Sequence, residues 1–384
     1  MPSPLPATSP PISAHQRPVR LGIIGVSPWV QFMYLWTLKK EPEAVIVALC
    51  ATTPSKAEPL ARKIGATHIF TDYRTMYESG LIDAVIIAAP DDCHYQMALD
   101  AIERGLHVLC EKPLALTALQ AQTLHEHAVR HNIVHMVMFT YRWLEPYRYI
   151  YDVVQSGVLG DIKQFDMTYQ VADQLAREYD WYLDAHRSLG AVGGLALHMI
   201  DLALWIVGRI QEVSAHLTNH MAWDELGAHL PHPAPDSGVA WMTFVDGGIG
   251  TLRFSNVAHL GAWEVRQILR LEGTLGHLVC DLRLGDRDHA TVDTVVQGEG
   301  APRHTTIDFT ASEHLQHGNI MSIFAQPLTG ARAFVAQIQG HTVCMPDFWD
   351  GVQAQLVVDA IQEAHRSRAQ TAIVPVSRPE REEK

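Results

Sequence analysis

The sequence predicts an α/β chain in two parts, a doubly wound parallel sheet followed by an α+β region built on a mostly antiparallel sheet. Three observations predict it. From Val19 to about residue 142, short apolar runs alternate with amphipathic stretches and are punctuated by glycine and proline. That is the pattern of parallel strands with helices on both faces. Beyond about residue 145, apolar and polar residues alternate with period two between glycine-containing turns, the mark of half-buried antiparallel strands. The chain has 384 residues, 47% hydrophobic and 18% charged, enough to build two cores.

The first strand is VRLGIIGV, a buried run ending at Gly25. Ser27 is a good N-cap and Pro28 a good first residue for the helix SPWVQFMYLWTLKK. AVIVALCAT reads as the second strand, PSKAEPLARKIG as a helix closed by Gly65, and HIFTD as a short third strand. IDAVIIAAP is the fourth strand, CHYQMALDAIERG a helix, HVLCEKP the fifth strand with its exit, LQAQTLHEHAVRHN a helix, and IVHMVMFTYR the sixth strand. In the second part, PYRYIYDVVQSG is helical. IKQFDMTYQVA, GVAWMTFVDGGIGTLRFSN and VRQILRLEGTLGHLVCDLRLG read as strands, with Gly247–Gly248 as a hairpin turn. The resulting division is a tail at 1–17, the parallel-sheet domain at 18–142, a second domain at 143–376 and a short tail at 377–384. The first tail, MPSPLPATSPPISAHQR, is rich in Pro and Ser and cannot pack.

Composition excludes several functions. The formal net charge is −13 and no basic stripe is visible, which argues against nucleic acid. No apolar run reaches the ~18 residues that span a bilayer, and the N-terminus lacks the pattern of a secretory signal. Five scattered cysteines with no CxxC pair suit a reducing cytoplasm and neither a disulfide framework nor a cysteine metal site. His125, His127, His131 and His135 fall on LHEHAVRHNIVH without the spacing of a zinc helix, and read as a solvated helix surface rather than a metal site.

In doubly wound sheets, ligands sit beyond the C-terminal ends of the strands. That rule selects Gly25–Pro28, Ala51–Thr53, Ala89–Asp92, Glu111–Pro113 and Thr140–Arg142. The G-x-G-x-x-G register falls on Gly25, Ser27 and Val30. Only the first glycine is present, Ser27 offers a hydroxyl to a pyrophosphate, and Pro28 removes one N–H donor. The second strand ends in Ala51, Thr52 and Thr53, with Lys56 following. No carboxylate stands there to repel a 2′-phosphate, so the residues lean toward NADP over NAD. His198 lies in LGAVGGLALHMIDLALWIVG, an apolar helical run, where a buried imidazole needs partners or work to do.

CEKPLAL, with FTYRWLEPYRYIYDVVQSGVLGDI and GGLALHMIDLALWIVG in that order, resembles the Gfo/Idh/MocA family of NAD(P)-dependent sugar and polyol oxidoreductases. The resemblance runs from about Val19 to about Val376. It implies an N-terminal Rossmann (doubly wound parallel sheet) domain and a C-terminal α+β domain with an open, mostly antiparallel sheet. That sheet usually mediates dimers or tetramers, so a homodimer or homotetramer is expected, with a sugar or polyol as small-molecule substrate. The resemblance places Lys112 at the substrate oxygen, where a cation stabilises developing charge, and His198 as the proton-handling histidine. Both are the expected catalytic residues. Cofactor contacts are expected from Gly25, Ser27, Pro28, Trp29, Thr52, Thr53, Lys56, Ala89, Pro90, His94, Glu111 and Lys112. Substrate contacts are expected from Tyr141, Arg142, Trp181, Tyr182 and His198. Two positions depart from the family pattern: the aspartate four residues before the histidine is Gly194 here, and the arginine of its WR pair is Tyr182. These departures keep a second reading open, a non-catalytic dinucleotide-binding regulatory protein. Retention of Lys112 and His198 favours the enzyme.

Overall fold

The computed structural model describes residues 17–172, 181–221, 232–261, 264–285, 288–310 and 320–379. Nearly all of the expected N-terminal tail, and residues 380–384 of the C-terminal one, lie outside them. The chain forms two compact units. The first comprises the described residues up to Phe139, Phe324–Val352 and the chain's end from Ser377. The second comprises Thr140–Ile323 and Gln353–Val376.

The first unit is a six-stranded parallel sheet in the order β3-β2-β1-β4-β5-β6, the doubly wound order whose direction reverses between β1 and β4. Its strands are β1 (Val19–Ile24), β2 (Ala44–Cys50), β3 (His68–Phe70), β4 (Ala84–Ile87), β5 (His107–Cys110) and β6 (His135–Val137). Leu21, Ile23, Val85, Ile86, Ile87, Val108 and Leu109 are all fully buried, as expected of strands covered on both faces. Helix α1 begins at Pro28–Val30, widens into a π turn over Gln31–Leu35, and ends with Trp36–Leu38. α2 (Pro54–Ile64) closes on Gly65 in the left-handed region (φ 84°). α3 (Tyr73–Glu78), α4 (Asp91–Glu103) and α5 (Ala118–Arg130) follow.

The sixth strand is much shorter than its apolar run. β5 stops at Cys110, and the last ladder bond is Met138 N–H to Cys110 O (2.9 Å). Without a neighbour to pair with, the chain turns, and Tyr141 and Arg142 lie in a 3₁₀ turn, Thr140–Trp143. One histidine of α5 also differs from the expected solvated surface. His125 is 1% exposed, with its ring 5.5 Å from that of His135 and 5.4 Å from that of Trp349. The helix turns that residue inward, and only the tertiary partners show it.

The second unit is a nine-stranded sheet in the order β14-β13-β12-β11-β7-β10-β9-β8-β15. The strands are β7 (Ile162–Val171), β8 (Ile210–Thr218), β9 (Ser237–Phe244), β10 (Ile249–Ser255), β11 (Val265–Gly273), β12 (Gly276–Leu284), β13 (His289–Val296), β14 (Arg303–Asp308) and β15 (Thr371–Ala372). β7 and β10 run parallel, and the other neighbours are antiparallel. The Gly247–Gly248 turn joins β9 to β10, with Phe244 N–H donating to Gly248 O (2.8 Å). One sheet face buries Phe165, Met167, Leu252, Phe254, Leu269 and Leu271. To this unit belong α6 (Glu145–Gln155) and α7, which opens on a π turn (Val192–Ala196) and continues over Leu197–Ile206. Two helices complete the chain. α8 (Ala331–Ile338) belongs to the first unit, where Arg332 pairs with Glu41 at 2.5 Å. α9 (Phe348–Ser367) starts in the first unit and continues into the second. No helix among the described residues is long and apolar enough to cross a membrane.

Candidate active site

The first group of site residues gathers at the sheet's reversal point. Gly25 leaves β1 at φ 105°, and a Cβ there would stand 2.4 Å from Ala88 O. Backbone conformation and space both demand glycine. Ser27 caps α1, its Oγ accepting from Val30 N–H at 3.3 Å, and Ser27, Pro28 and Trp29 are exposed. Val30, where the fingerprint has its third glycine, is fully buried. At the end of β2, Thr52, Thr53 and Lys56 are exposed, and the Thr53 side chain makes no capping bond to α2.

Glu111 and Lys112 follow β5, and the Lys112–Pro113 peptide is cis. The Glu111 carboxylate is nearly buried (7% exposed). Its Oε1 accepts from Trp29 Nε1–H at 2.6 Å and from the Tyr34 hydroxyl at 2.5 Å. Trp29 and Tyr34 are five residues apart, too far round a regular α-helix to share one acceptor. The wide π turn between them adds a residue and brings both to one face. Burial first, and then the Glu111 charge, hold the Tyr34 phenol well above its usual pKa, so it stays a donor. Tyr34 was missed by the sequence reading, because nothing in the sequence announces a contact spanning 77 positions.

His94 is 1% exposed. Its Nδ1 lies 2.7 Å from Pro113 O and its Nε2 2.9 Å from Ala89 O. Carbonyl oxygens only accept, so both nitrogens carry protons and the ring is an imidazolium. Burial opposes that charge. Cys110, Asp91 and the Pro113 carbonyl outweigh it and push the pKa up to about 10. The ring therefore turns both nitrogens to the protein's own carbonyls, and the expected cofactor contact of His94 is not made by a ring nitrogen left over from them. His94 ties the Ala89–Pro90 exit of β4 to the loop that carries Lys112.

In the second unit, His198 is 5% exposed on α7. The Tyr141 ring meets it edge-on, centroids 4.8 Å apart. Tyr141 shares a 2.5 Å hydroxyl contact with Tyr169 of β7. Burial, and then Tyr169, hold the Tyr141 phenol well above its usual pKa. Arg142 gives its fork to Asp201, with Nε at 3.1 and 3.0 Å from the two oxygens and Nη2 at 2.6 Å from Oδ1. Its guanidinium also stands 5.6 Å from the Trp205 ring. The geometry accounts for Arg142 as a brace between the 3₁₀ turn and α7. Trp181 and Tyr182 share a 3₁₀ turn, ring centroids 5.8 Å apart. The Tyr182 hydroxyl donates to Gly190 O (3.0 Å) and accepts from Asn256 Nδ2 (3.1 Å). Asn256, at the exit of β10, carried no sequence signal.

Comparison with known proteins gives two family matches. Residues 19–139 match the oxidoreductase family with the NAD-binding Rossmann fold, and residues 147–279 match the Gfo/Idh/MocA C-terminal domain. The chain is 26% identical over 368 residues to levoglucosan dehydrogenase of Pseudarthrobacter phenanthrenivorans, covering 86% of this chain and 90% of that protein. It is 25% identical over 365 residues to D-glucoside 3-dehydrogenase of Escherichia coli, covering 90% and 95%. Among solved structures, levoglucosan dehydrogenase in complex with NADH and L-sorbose superposes with a TM-score of 0.80 at 24% identity, over 94% of this chain and 100% of that one. With both units matched in order, the chain belongs to the Gfo/Idh/MocA family of NAD(P)-dependent oxidoreductases.

Proposed function

We infer that this protein moves hydride between a nicotinamide dinucleotide and a carbinol or carbonyl carbon of a sugar, cyclitol or related polyhydroxylated molecule. The observation that carries the reading is the Glu111–Lys112–Pro113 loop. It follows β5, next to the reversal between β1 and β4, with Glu111 held by Trp29 and Tyr34 and Pro113 O held by His94. A lysine placed so firmly after a buried strand has a task that a surface lysine lacks. The names of the levoglucosan and D-glucoside dehydrogenases support the substrate class.

The residues present fit a dinucleotide. The exposed Ser27–Trp29 turn at the start of α1 leaves backbone donors for a pyrophosphate, and Gly25 leaves no side chain in the way. When bound, the nicotinamide ring accepts or returns the hydride. Lys112 steadies the negative charge that develops on the substrate oxygen, help that is typically worth ~10²–10³ in rate. His198 takes the hydroxyl proton on oxidation and returns it on reduction. Tyr141, which keeps its own proton, packs edge-on against the imidazole and fixes its plane.

Exposed Thr52, Thr53 and Lys56, with no carboxylate at positions 51–53, support NADP as the tighter ligand, and parallel titrations with NADPH and NADH test that choice. Cys50, Cys93, Cys110, Cys280 and Cys344 are thiols rather than disulfides, which suits a reducing cytoplasm. One face of the large sheet exposes Val239 (51%), Trp241 (36%) and Ile249 (39%) among polar cross-strand neighbours, a mixed surface suited to a second copy of the chain.

The test is Lys112→Ala in NAD(P)-linked oxidation of levoglucosan and D-glucosides. Turnover should vanish while the cofactor Kd changes less than threefold. Undiminished turnover on a sugar that the native protein oxidises would refute the mechanism.

A further inference from the structure

The position one helical turn ahead of His198 is occupied, but by a side chain from another segment. A Cβ built on Gly194 would stand 1.9 Å from the Tyr182 hydroxyl oxygen and 3.0 Å from ring Cζ. No side chain can share that space with the phenol. The hydroxyl is also held firmly. It donates to Gly190 O at 3.0 Å, the carbonyl that also accepts from Gly194 N–H at 2.8 Å, and it accepts from Asn256 Nδ2 at 3.1 Å. Asn256 is 1% exposed, and its own N–H donates to Asp236 O at 2.8 Å. The turn that delivers Tyr182 is anchored as well, through Ala234 N–H to Leu183 O (2.8 Å) and Ala185 N–H to His232 O (2.9 Å).

We propose that Tyr182 is a positioning residue that replaces a side chain at residue 194, so that a neutral phenol, rather than the aspartate the family pattern carries there, stands one turn ahead of His198. The proposal rests on the reading of His198 as the proton-handling group. The phenol donates to Gly190 O and accepts from Asn256 Nδ2, so both bonds hold it beside Gly194. Glycine at 194 also leaves no carboxylate one turn ahead of His198 on its own helix. Glycine at 194 and tyrosine at 182 are therefore one change, not two.

Two measurements on the full chain test this, and neither needs the substrate. The first compares thermal unfolding of Gly194→Ala with that of Gly194→Ala in a Tyr182→Phe background, each against its own parent. Losing the hydroxyl removes the 1.9 Å contact and leaves the milder ones at 3.0 Å to Cζ and 3.4 Å to Cε2. The midpoint should fall at least twice as far in the native background. Equal falls overturn the proposal. The second measurement survives a poorly folding alanine variant. It follows the His198 imidazole by NMR in protein labelled at histidine, with the signal identified by its loss in His198→Gln. In Gly194→Asp/Tyr182→Ala, where the carboxylate has room, the titration midpoint should rise by about one pH unit over Tyr182→Ala alone. An unmoved midpoint overturns the proposal. A failed Lys112→Ala test would remove the reaction and leave this relation between 182 and 194 standing. Independence in both measurements would remove the relation and leave the reaction standing.

Discussion

His94→Leu should cost the first unit most of the hold on its Lys112 loop. The native ring is 1% exposed and makes two charge-assisted bonds, at 2.7 Å to Pro113 O and 2.9 Å to Ala89 O. Leucine fills similar space but donates nothing, and it leaves both carbonyls without these donors. Bonds to a charged partner are worth ~1.5–3 kcal/mol each, so the loss should be about 3–5 kcal/mol. A domain of this size loses ~2–4 °C per kcal/mol, which puts the fall in Tm at about 10 °C. The pH dependence carries the sharper signature. The folded pKa of about 10 lies above the ordinary value of 6.5. The stabilisation is therefore fully present below about pH 6.5 and is lost as pH rises through about 10. The direction of the shift, set by Cys110 and Asp91 as well as by the Pro113 carbonyl, gives the stabilisation its pH dependence. Calorimetry of both proteins from pH 6 to 10 should show the gap in Tm narrowing as pH rises. A gap under 2 °C at pH 7, or one that stays constant across the range, would refute the imidazolium brace.

Further outcomes follow from the same geometry. Breaking the Arg142–Asp201 pair, whose side chains are 12% and 2% exposed, should cost ~3–5 kcal/mol in urea unfolding, because one buried charge is left alone. Arg142→Lys should recover little of that, since a lysine cannot reproduce the two-pronged contact. Trp29→Phe removes one of the two donors to Glu111 Oε1 and should weaken NADH or NADPH binding about tenfold, a single charge-assisted bond; unchanged affinity by titration calorimetry would show that Glu111 needs no such hold. Trp241→Glu, on that face of the large sheet, should shift sedimentation toward the monomer without lowering Tm. An unaltered sedimentation coefficient would place the subunit interface elsewhere.

The strands and helices were legible because period and punctuation are local. Ser27 and Pro28 announce the start of α1, Gly65 ends α2, and Gly247–Gly248 turns a hairpin, each through its own backbone preference. The limits of that reading are equally physical. The run after Asn132 looks like a long strand, yet it keeps three residues as β6 because β5 offers no partner beyond Cys110. α1 reads as a plain helix, and its π turn shows only in the way Trp29 and Tyr34 converge on Glu111.

The sequence by itself determined the fold class, the family and the positions of Lys112 and His198, because apolar period and ordered motifs are written along one dimension. Only the tertiary structure decided what surrounds those two residues. It showed that His94 braces two loops, that Arg142 is taken by Asp201, and that the space beside Gly194 belongs to Tyr182. Each of these depends on which atoms lie within about 3 Å across tens of residues of chain, where hydrogen bonds and steric exclusion act. A residue's type fixes what it can donate or accept, and its neighbours in space fix what it does.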